Sequence, residues 1–488
     1  MLSSTKAQLK KEHARGAKRT PGDWLVLLGQ VLVWQLVAIL FVEMTLFFAG
    51  LGEEEIFKLD PDLGVTHICN KKITWRSEGF ATSFLNEDGM REPGLKVAKE
   101  PGTFRVALLG DSLTESLQVP VEQSFAVQVQ EKLKAELHRP VQVLNFGTSG
   151  YSTVQEYLQI KKKVLKYKPD LVMLCYNSRD CFENWSPPDE VLTNVRPAAI
   201  HLPGGKLTID HTPVQQWMRT PRARFLKHFE FLREQSRIWG LYAQAELDWS
   251  LHNETYKRIV FFLTRPGKAI RQFWNEFSDW CKVQIAAKPK IEPVVVAKAL
   301  PEVSAKPAEP AKVTKPGKVV STAIGASVKP AAPVSKVQPN SAEKPKSNIP
   351  EAPKITANSS PSDLRKNYEY LIMRTLGSLL LAMKNDSAAS GARFAIVALP
   401  VRSDLAGNQG MPSAFTDYTY NDELKMLQGI CQDYQIPLFN LHEQAKPLKA
   451  EERDALFYLV HYTPKGHEFV AGKLMPPLRD CLKGAQAQ

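Results

Sequence analysis

Ser112 stands where an oxygen nucleophile is useful. In the stretch FRVALLGDSLTESLQV, Phe104 to Val119, an apolar run leads to a glycine, then an acid, a serine and a helix-like segment. A serine at that junction has two uses. It caps the helix, or it attacks a carbonyl while the free N–H groups at the helix start stabilise the oxyanion. Position alone leaves both open. Three more blocks follow in order. NFGTSGYST covers Asn145–Thr153, YNSRDCFEN covers Tyr176–Asn184, and YLVHYTPKGHEFVAGKL covers Tyr458–Leu474, with a histidine ahead of a helix pattern. A hydroxyl is a poor nucleophile at neutral pH, so an imidazole must take its proton and return it to the leaving group. The six cysteines are scattered, without C-x-x-C pairs or a Cys/His cluster at zinc spacing. Disulfides and free thiols both remain open. No phosphate-binding glycine loop is present, and neither a metal nor a cofactor is expected.

The elements that must position these residues alternate between strand and helix. Short apolar runs at FRVALLG, VQVLNFG, DLVMLCY, FAIVALP and IPLFNL read as strands, and SFAVQVQEKLKAEL and VQEYLQIKKKVLKY as crossover helices. Five strands with crossovers imply a parallel, doubly wound sheet, whose ligands gather at the carboxyl ends of the strands. The fourth strand follows a long excursion over 185–390. Its first part, RARFLKHFEFLREQSRIWGLYAQAELDW, reads as helical and aromatic-rich, either packed on the domain or lying against a membrane surface.

Together the four blocks resemble the GDSL or SGNH hydrolases, serine esterases and acyltransferases on a flavodoxin-like five-stranded parallel sheet. The resemblance covers roughly 60–185 and 362–480 and takes in the upstream DPDLGVTHICN and FLNEDGMRE, which look like the lead-in of membrane-anchored bacterial members. The resemblance implies Ser112 as nucleophile, His461 as base, and the backbone N–H groups of Ser112 and Gly150 as oxyanion donors. It makes Asp111 a structural member of the turn and His467 a helix residue. The chain departs from the family pattern twice. Where the family has Asn then Asp after the third strand, this chain has Arg179–Asp180, so the donor is the Arg179 guanidinium, the backbone alone, or Asn177 if the strand end is rearranged. Where the family has an Asp three residues before the histidine, this chain has Tyr458. Asp454 returning by a loop, or a backbone carbonyl, would then orient His461, with Tyr458 an aromatic beside the site.

The formal net charge of +12 is concentrated outside the foldable part. Six basic residues against two acids lie in 1–23, and 12 lysines against 5 glutamates lie in 288–360. The remainder is close to neutral, which argues against a nucleic-acid-binding fold. Trp24 to Val42 contains no charge and reaches about 28 Å as a helix, one hydrocarbon thickness. An uncleaved anchor, a cleaved signal and a buried core helix are the alternatives. Basic residues before the span and acids after it place the N-terminus in the cytoplasm and the rest in the periplasm or outside.

The chain thus divides into a basic tail (1–23), an anchor (24–49), the first part of the SGNH domain (55–184), a helical insertion (185–287), a disordered Lys/Pro/Ala linker (288–360) and the second part of the domain (361–484). The expected function is that of an inner-membrane-anchored serine ester hydrolase acting on an acylated cell-envelope glycan. An acyltransferase on the same site, and a retired member that binds glycan or scaffolds an envelope protein partner, are the alternatives.

Overall fold

The computed structural model describes residues 20–53, 55–76, 78–92, 95–178, 180–184, 195–201, 207–252, 361–405 and 419–483, with the backbone alone at 201, 246–252, 361–366, 368 and 483. The linker, residues 1–19 of the basic tail and Arg179 lie outside the described residues.

The helix Pro21–Ala49 opens at Thr20, whose hydroxyl accepts from the Asp23 N–H while the Asp23 carboxylate accepts from the Thr20 N–H. It closes at Gly50 in the left-handed region. None of its residues is buried, and by length and composition it is able to cross a membrane. Two antiparallel hairpins follow, β1 (Phe57–Asp60) with β2 (Gly64–His67) and β3 (Lys71–Trp75) with β4 (Ala81–Leu85). Ile56, Phe57, Ile73 and Leu85 pack them against Leu117, just beyond the short helix Ser112–Glu115.

The main sheet is built from β5 (Phe104–Gly110), β6 (Val141–Asn145), β7 (Leu171–Tyr176), β10 (Arg393–Ala398) and β11 (Leu438–Asn440). All pair in parallel, in the order β11-β10-β7-β5-β6, the flavodoxin-like arrangement expected from the sequence. Successive strand side chains point to opposite faces, so a strand covered on both sides must be apolar throughout. Phe104, Val106 and Leu108 of β5 face the helices Phe125–Leu137 and Pro464–Lys483. Ala107 and Leu109 face the helices Pro361–Ala389 and Tyr420–Asp433. β7 and β10 divide in the same way.

The insertion differs from the helical stretch expected. Among the described residues an antiparallel hairpin, β8 (Ala198–His201) and β9 (Leu207–Asp210), precedes the helices Thr212–Met218, Pro221–His228, Glu230–Gln235 and Arg237–His252. The β-branched residues at Ile200, Thr208 and Ile209 suit the hairpin.

Candidate active site

The sheet order places the first two sequence blocks side by side. Gly110 ends β5, and a Cβ there would come within 2.2 Å of Thr114 Oγ1, so the turn closes only over a glycine. Asp111 caps that turn. Its Oδ1 accepts from the Leu113 N–H at 3.0 Å, and its Oδ2 accepts from Asn177 Nδ2 at 2.6 Å. Ser112 is the first residue of the short helix Ser112–Glu115 and is partly exposed.

The second block is fixed to the first by side chains. Asn145 donates to the Thr114 carbonyl at 2.6 Å and accepts from the Gly147 N–H at 2.9 Å. The Thr148 N–H donates to the Gly110 carbonyl at 2.9 Å. Glu115 is buried. Its Oε1 lies 2.5 Å from His67 Nε2, and its Oε2 accepts from the Ser149 N–H at 2.9 Å and from the Ser149 hydroxyl. Gly150 follows with φ +76°, a conformation a side chain would disfavour. Among the described residues, the N–H groups of Ser112 and Gly150 donate to no protein acceptor. Arg91 holds the other side of the turn through the Ser116 and Val119 carbonyls.

His461 comes from a tight turn near the C-terminus. The Tyr458 N–H donates to the His461 carbonyl at 2.8 Å, and Phe457 bridges to Tyr462. Arg402 Nη1 donates to the Tyr458 and Leu459 carbonyls. The carboxylate that meets this turn is Glu78, at the tip of the β3–β4 hairpin. Its Oε2 accepts from the N–H groups of Val460 and His461 at 3.1 and 3.0 Å and lies 3.1 Å from His461 Nδ1. The Nδ1 contact has ion-pair distance without hydrogen-bond alignment. Burial works against the Glu78 charge. The His461 side chain and the two backbone N–H groups outweigh it and bring its pKa down to about 2. Gly79, at φ +67°, has no room for a Cβ, which would sit 2.3 Å from the Gln118 carbonyl and 2.9 Å from the Tyr458 ring. Tyr458 therefore covers the loop that delivers Glu78.

The other expected residues have partners of their own. Asn177 spends one amide N–H on Asp111 and accepts from the Ser178 N–H. Asp180 is buried and accepts from the Asn177 N–H at 2.8 Å. Burial raises the carboxyls of Asp111, Asp180 and Glu156 above the usual range. The mutual charges of Glu156 and Asp111 push Asp180 further up, and that of Asp111 raises Glu156. The charge of His461 is felt at Asp111, where it opposes the rise. His467 is a core residue, stacked on Phe125 and accepting from the Phe125 N–H, with burial lowering it to about 3. Asp454 is exposed at the end of the helix Ala450–Asp454.

Sequence reasoning missed Glu78, His67 and the clamp by Glu115. Glu78 is separated from His461 by 383 residues, and its only local signal is the following glycine, which marks a turn. Five cysteines among the described residues are free thiols, and no metal-holding cluster occurs among those residues.

The fold thus combines an open parallel sheet, a serine turn at the end of its first strand, and a histidine near the C-terminus that meets the Glu78 carboxylate of the β3–β4 hairpin. Residues 106–280 match the family model described as GDSL-like Lipase/Acylhydrolase. The match spans the blocks at Ser112, Gly150 and Asn177 and stops short of His461. Similar solved structures include an acetyl xylan esterase, at 9% identity over 77% of this chain and 99% of that one with a TM-score of 0.30. Another is the lipase/acylhydrolase from Enterococcus faecalis, at 9% identity over 77% and 96% with a TM-score of 0.31. A third is a lipase from a goat rumen metagenome, at 20% identity over 16% and 40% with a TM-score of 0.15. No curated protein matches the chain.

Proposed function

We propose that the protein is a membrane-anchored serine ester hydrolase that deacylates an acylated cell-envelope glycan on the outer side of the inner membrane. Ser112 is the nucleophile, His461 its base, and Glu78 the carboxylate that orients the imidazole and balances its charge. The observation that carries this reading is the Glu78–His461 pair, with Oε2 3.1 Å from Nδ1. It supplies the acid that the residue at position 458 does not. In the attack, the Ser112 Oγ–H proton passes to His461 Nε2 as the oxygen bonds to the ester carbonyl carbon. The same proton then goes to the departing glycan hydroxyl, and water repeats the sequence on the acyl-enzyme. The N–H groups of Ser112 and Gly150, without protein acceptors, receive the oxyanion.

The anchor is the helix Pro21–Ala49. The basic residues before it and the acids after it favour a cytoplasmic N-terminus. A domain tethered in this way acts on a polymer or a lipid-borne glycan near its membrane.

The test is labelling of the full chain by a fluorophosphonate probe, with Ser112→Ala and His461→Ala alongside. Labelling of wild type alone supports the mechanism. Release of acetate from acetylated glycan then supports hydrolysis, and movement of the acyl group to an added acceptor glycan would instead favour transfer. A folded wild type that does not label would leave a binding role.

A further inference from the structure

The N-terminal helix touches the rest of the molecule along one short face. From Phe41 to Gly50 only Glu43, Leu46 and Gly50 are partly covered, at positions i, i+3 and i+7. At Glu43 the covering element is the insertion. The Glu43 carboxylate accepts from Ser236 Oγ at 2.5 Å and from the N–H groups of Arg237 and Ile238 at 2.7 and 3.3 Å, and so caps the helix Arg237–His252. Arg237 also donates to the Leu51 carbonyl, pairs with Glu53 at 2.8 Å and lies over the Phe47 ring. Higher up, Gly240 meets Gly52 backbone to backbone, where a Cβ would come within 2.3 Å of the Gly52 carbonyl oxygen.

This junction fixes a depth. Glu43 lies six residues before the end of the helix at Ala49, or about 9 Å along the axis. If the uncharged stretch Trp24–Val42 fills the hydrocarbon, Glu43 is at its edge and Ser236–Ile238 are level with the lipid headgroups. The residues beside them suit that level. Phe231 is 75% exposed and Leu232 61%, and Phe225, Phe229 and Tyr242 are exposed as well. Phe225, Phe229, Trp239 and Tyr242 form one chain of ring contacts. Over 219–245 the basic residues Arg219, Arg222, Arg224, Lys227, Arg233 and Arg237 outnumber the acids Glu230 and Glu234. Arg219, Arg224 and Lys227 are exposed. Exposed aromatics among cations, held at headgroup depth, are what a helix lying in an anionic interface presents.

We propose that the helices over 221–245 form a second membrane contact, an aromatic and basic collar lying in the anionic headgroup layer around the N-terminal helix. This rests on the helix spanning the membrane. The collar holds the domain at a fixed tilt. Arg76, two residues before Glu78, donates to the Gly50 carbonyl at 2.7 Å, so the Glu78 hairpin is tied to the same junction.

The test uses the full chain in nanodiscs containing phosphatidylglycerol with a photoactivatable diazirine near its glycerol backbone. Crosslinked peptides are mapped by mass spectrometry. Lipid adducts are expected on 219–245 as well as on 24–49. Adducts on 219–245 should fall several-fold in phosphatidylcholine discs with the same probe in trace, and in Phe231→Glu/Leu232→Glu, while those on 24–49 persist. Adducts on 24–49 without any on 219–245 would overturn the collar and leave the anchor standing. Absence from both would overturn the anchor, and the collar with it. Protein–protein crosslinks through 219–245 in place of lipid adducts would mark a contact between copies and also overturn the proposal.

Discussion

Glu78 Oε2 lies 3.1 Å from His461 Nδ1 and also accepts the backbone N–H groups of Val460 and His461. One oxygen thus braces the turn that presents the imidazole and lies at ion-pair distance from its ring. In the proposed mechanism a carboxylate so placed offsets the positive charge that His461 gains as Ser112 loses its proton. Glu78→Gln keeps the acceptor for the two backbone N–H groups and removes the charge. We expect kcat to fall by about 10²- to 10⁴-fold, as when the acid of a serine triad is made an amide, with KM little changed. Hydrolysis of a small chromogenic acetyl ester reads both constants. A kcat within threefold of wild type would reduce Glu78 to a brace for the turn.

The same carboxylate has a pH signature. Its folded pKa of about 2 lies below its ordinary value of 4.5. The unfolded chain therefore binds the proton more readily, and the stability Glu78 contributes is fully present above about pH 4.5 and is lost as pH falls toward about 2. The difference in urea stability between wild type and Glu78→Gln should be larger at pH 7 than at pH 3. An equal difference at both would show that the charge contributes nothing to folding.

Much of this fold was legible because β5, β7 and β10 are buried on both faces, and such strands leave unbroken apolar runs in sequence. The glycine, acid and serine after β5 marked the site because a turn at a strand end needs those types locally. Glu78 was not legible, because its partner is brought to it by packing of the hairpins on Leu117 and not by spacing. Tyr458 read as the loss of an acid. In the fold it is the surface on which the replacement acid's loop rests. The hairpin β8–β9 was hidden inside a stretch whose later aromatic periodicity looked helical.

Gly79 should be as sensitive as the residue before it. At φ +67° a Cβ is strained, and here it would also meet the Gln118 carbonyl and the Tyr458 ring. Gly79→Ala is expected to lose about 1–3 kcal/mol of stability and to lower kcat, since any shift of the loop moves Glu78. Denaturant titration paired with ester turnover checks this. Unchanged turnover in a destabilised variant would separate the loop from the site.

Glu115 joins the N-terminal hairpins to the Ser149–Gly150 turn through His67 on one side and Ser149 on the other. Truncating it leaves His67 buried without its partner. Glu115→Ala should cost about 1–3 kcal/mol for each buried partner it strands. Ser149→Ala keeps the Ser149 N–H contact and should cost about 1 kcal/mol. If calorimetry finds the two equal, Glu115 is not the hub of this contact.

Glu156 behaves in the opposite sense to Glu78. It lies fully buried in the helix Thr153–Gln159, neither carboxyl oxygen has a hydrogen-bond partner, and desolvation with the nearby Asp111 raises its pKa well above 4.5. The folded protein therefore keeps the proton that the unfolded chain gives up above about pH 4.5. Stability from this group is present below that pH and declines as pH rises toward the folded pKa. Glu156→Gln is neutral in both states and removes that dependence. Its amide gains buried donors that need partners, so at pH 5 it should be less stable than wild type by about 1–3 kcal/mol. By pH 8 the gap should narrow or reverse. Asp180, which burial and the charge of Glu156 hold above the usual range, is partly relieved in the variant, and this acts in the same direction as pH rises. Guanidinium unfolding of the two proteins at both pH values decides the matter. A gap that widens with pH would mean that Glu156 is ionised in the fold and has found a partner for its charge.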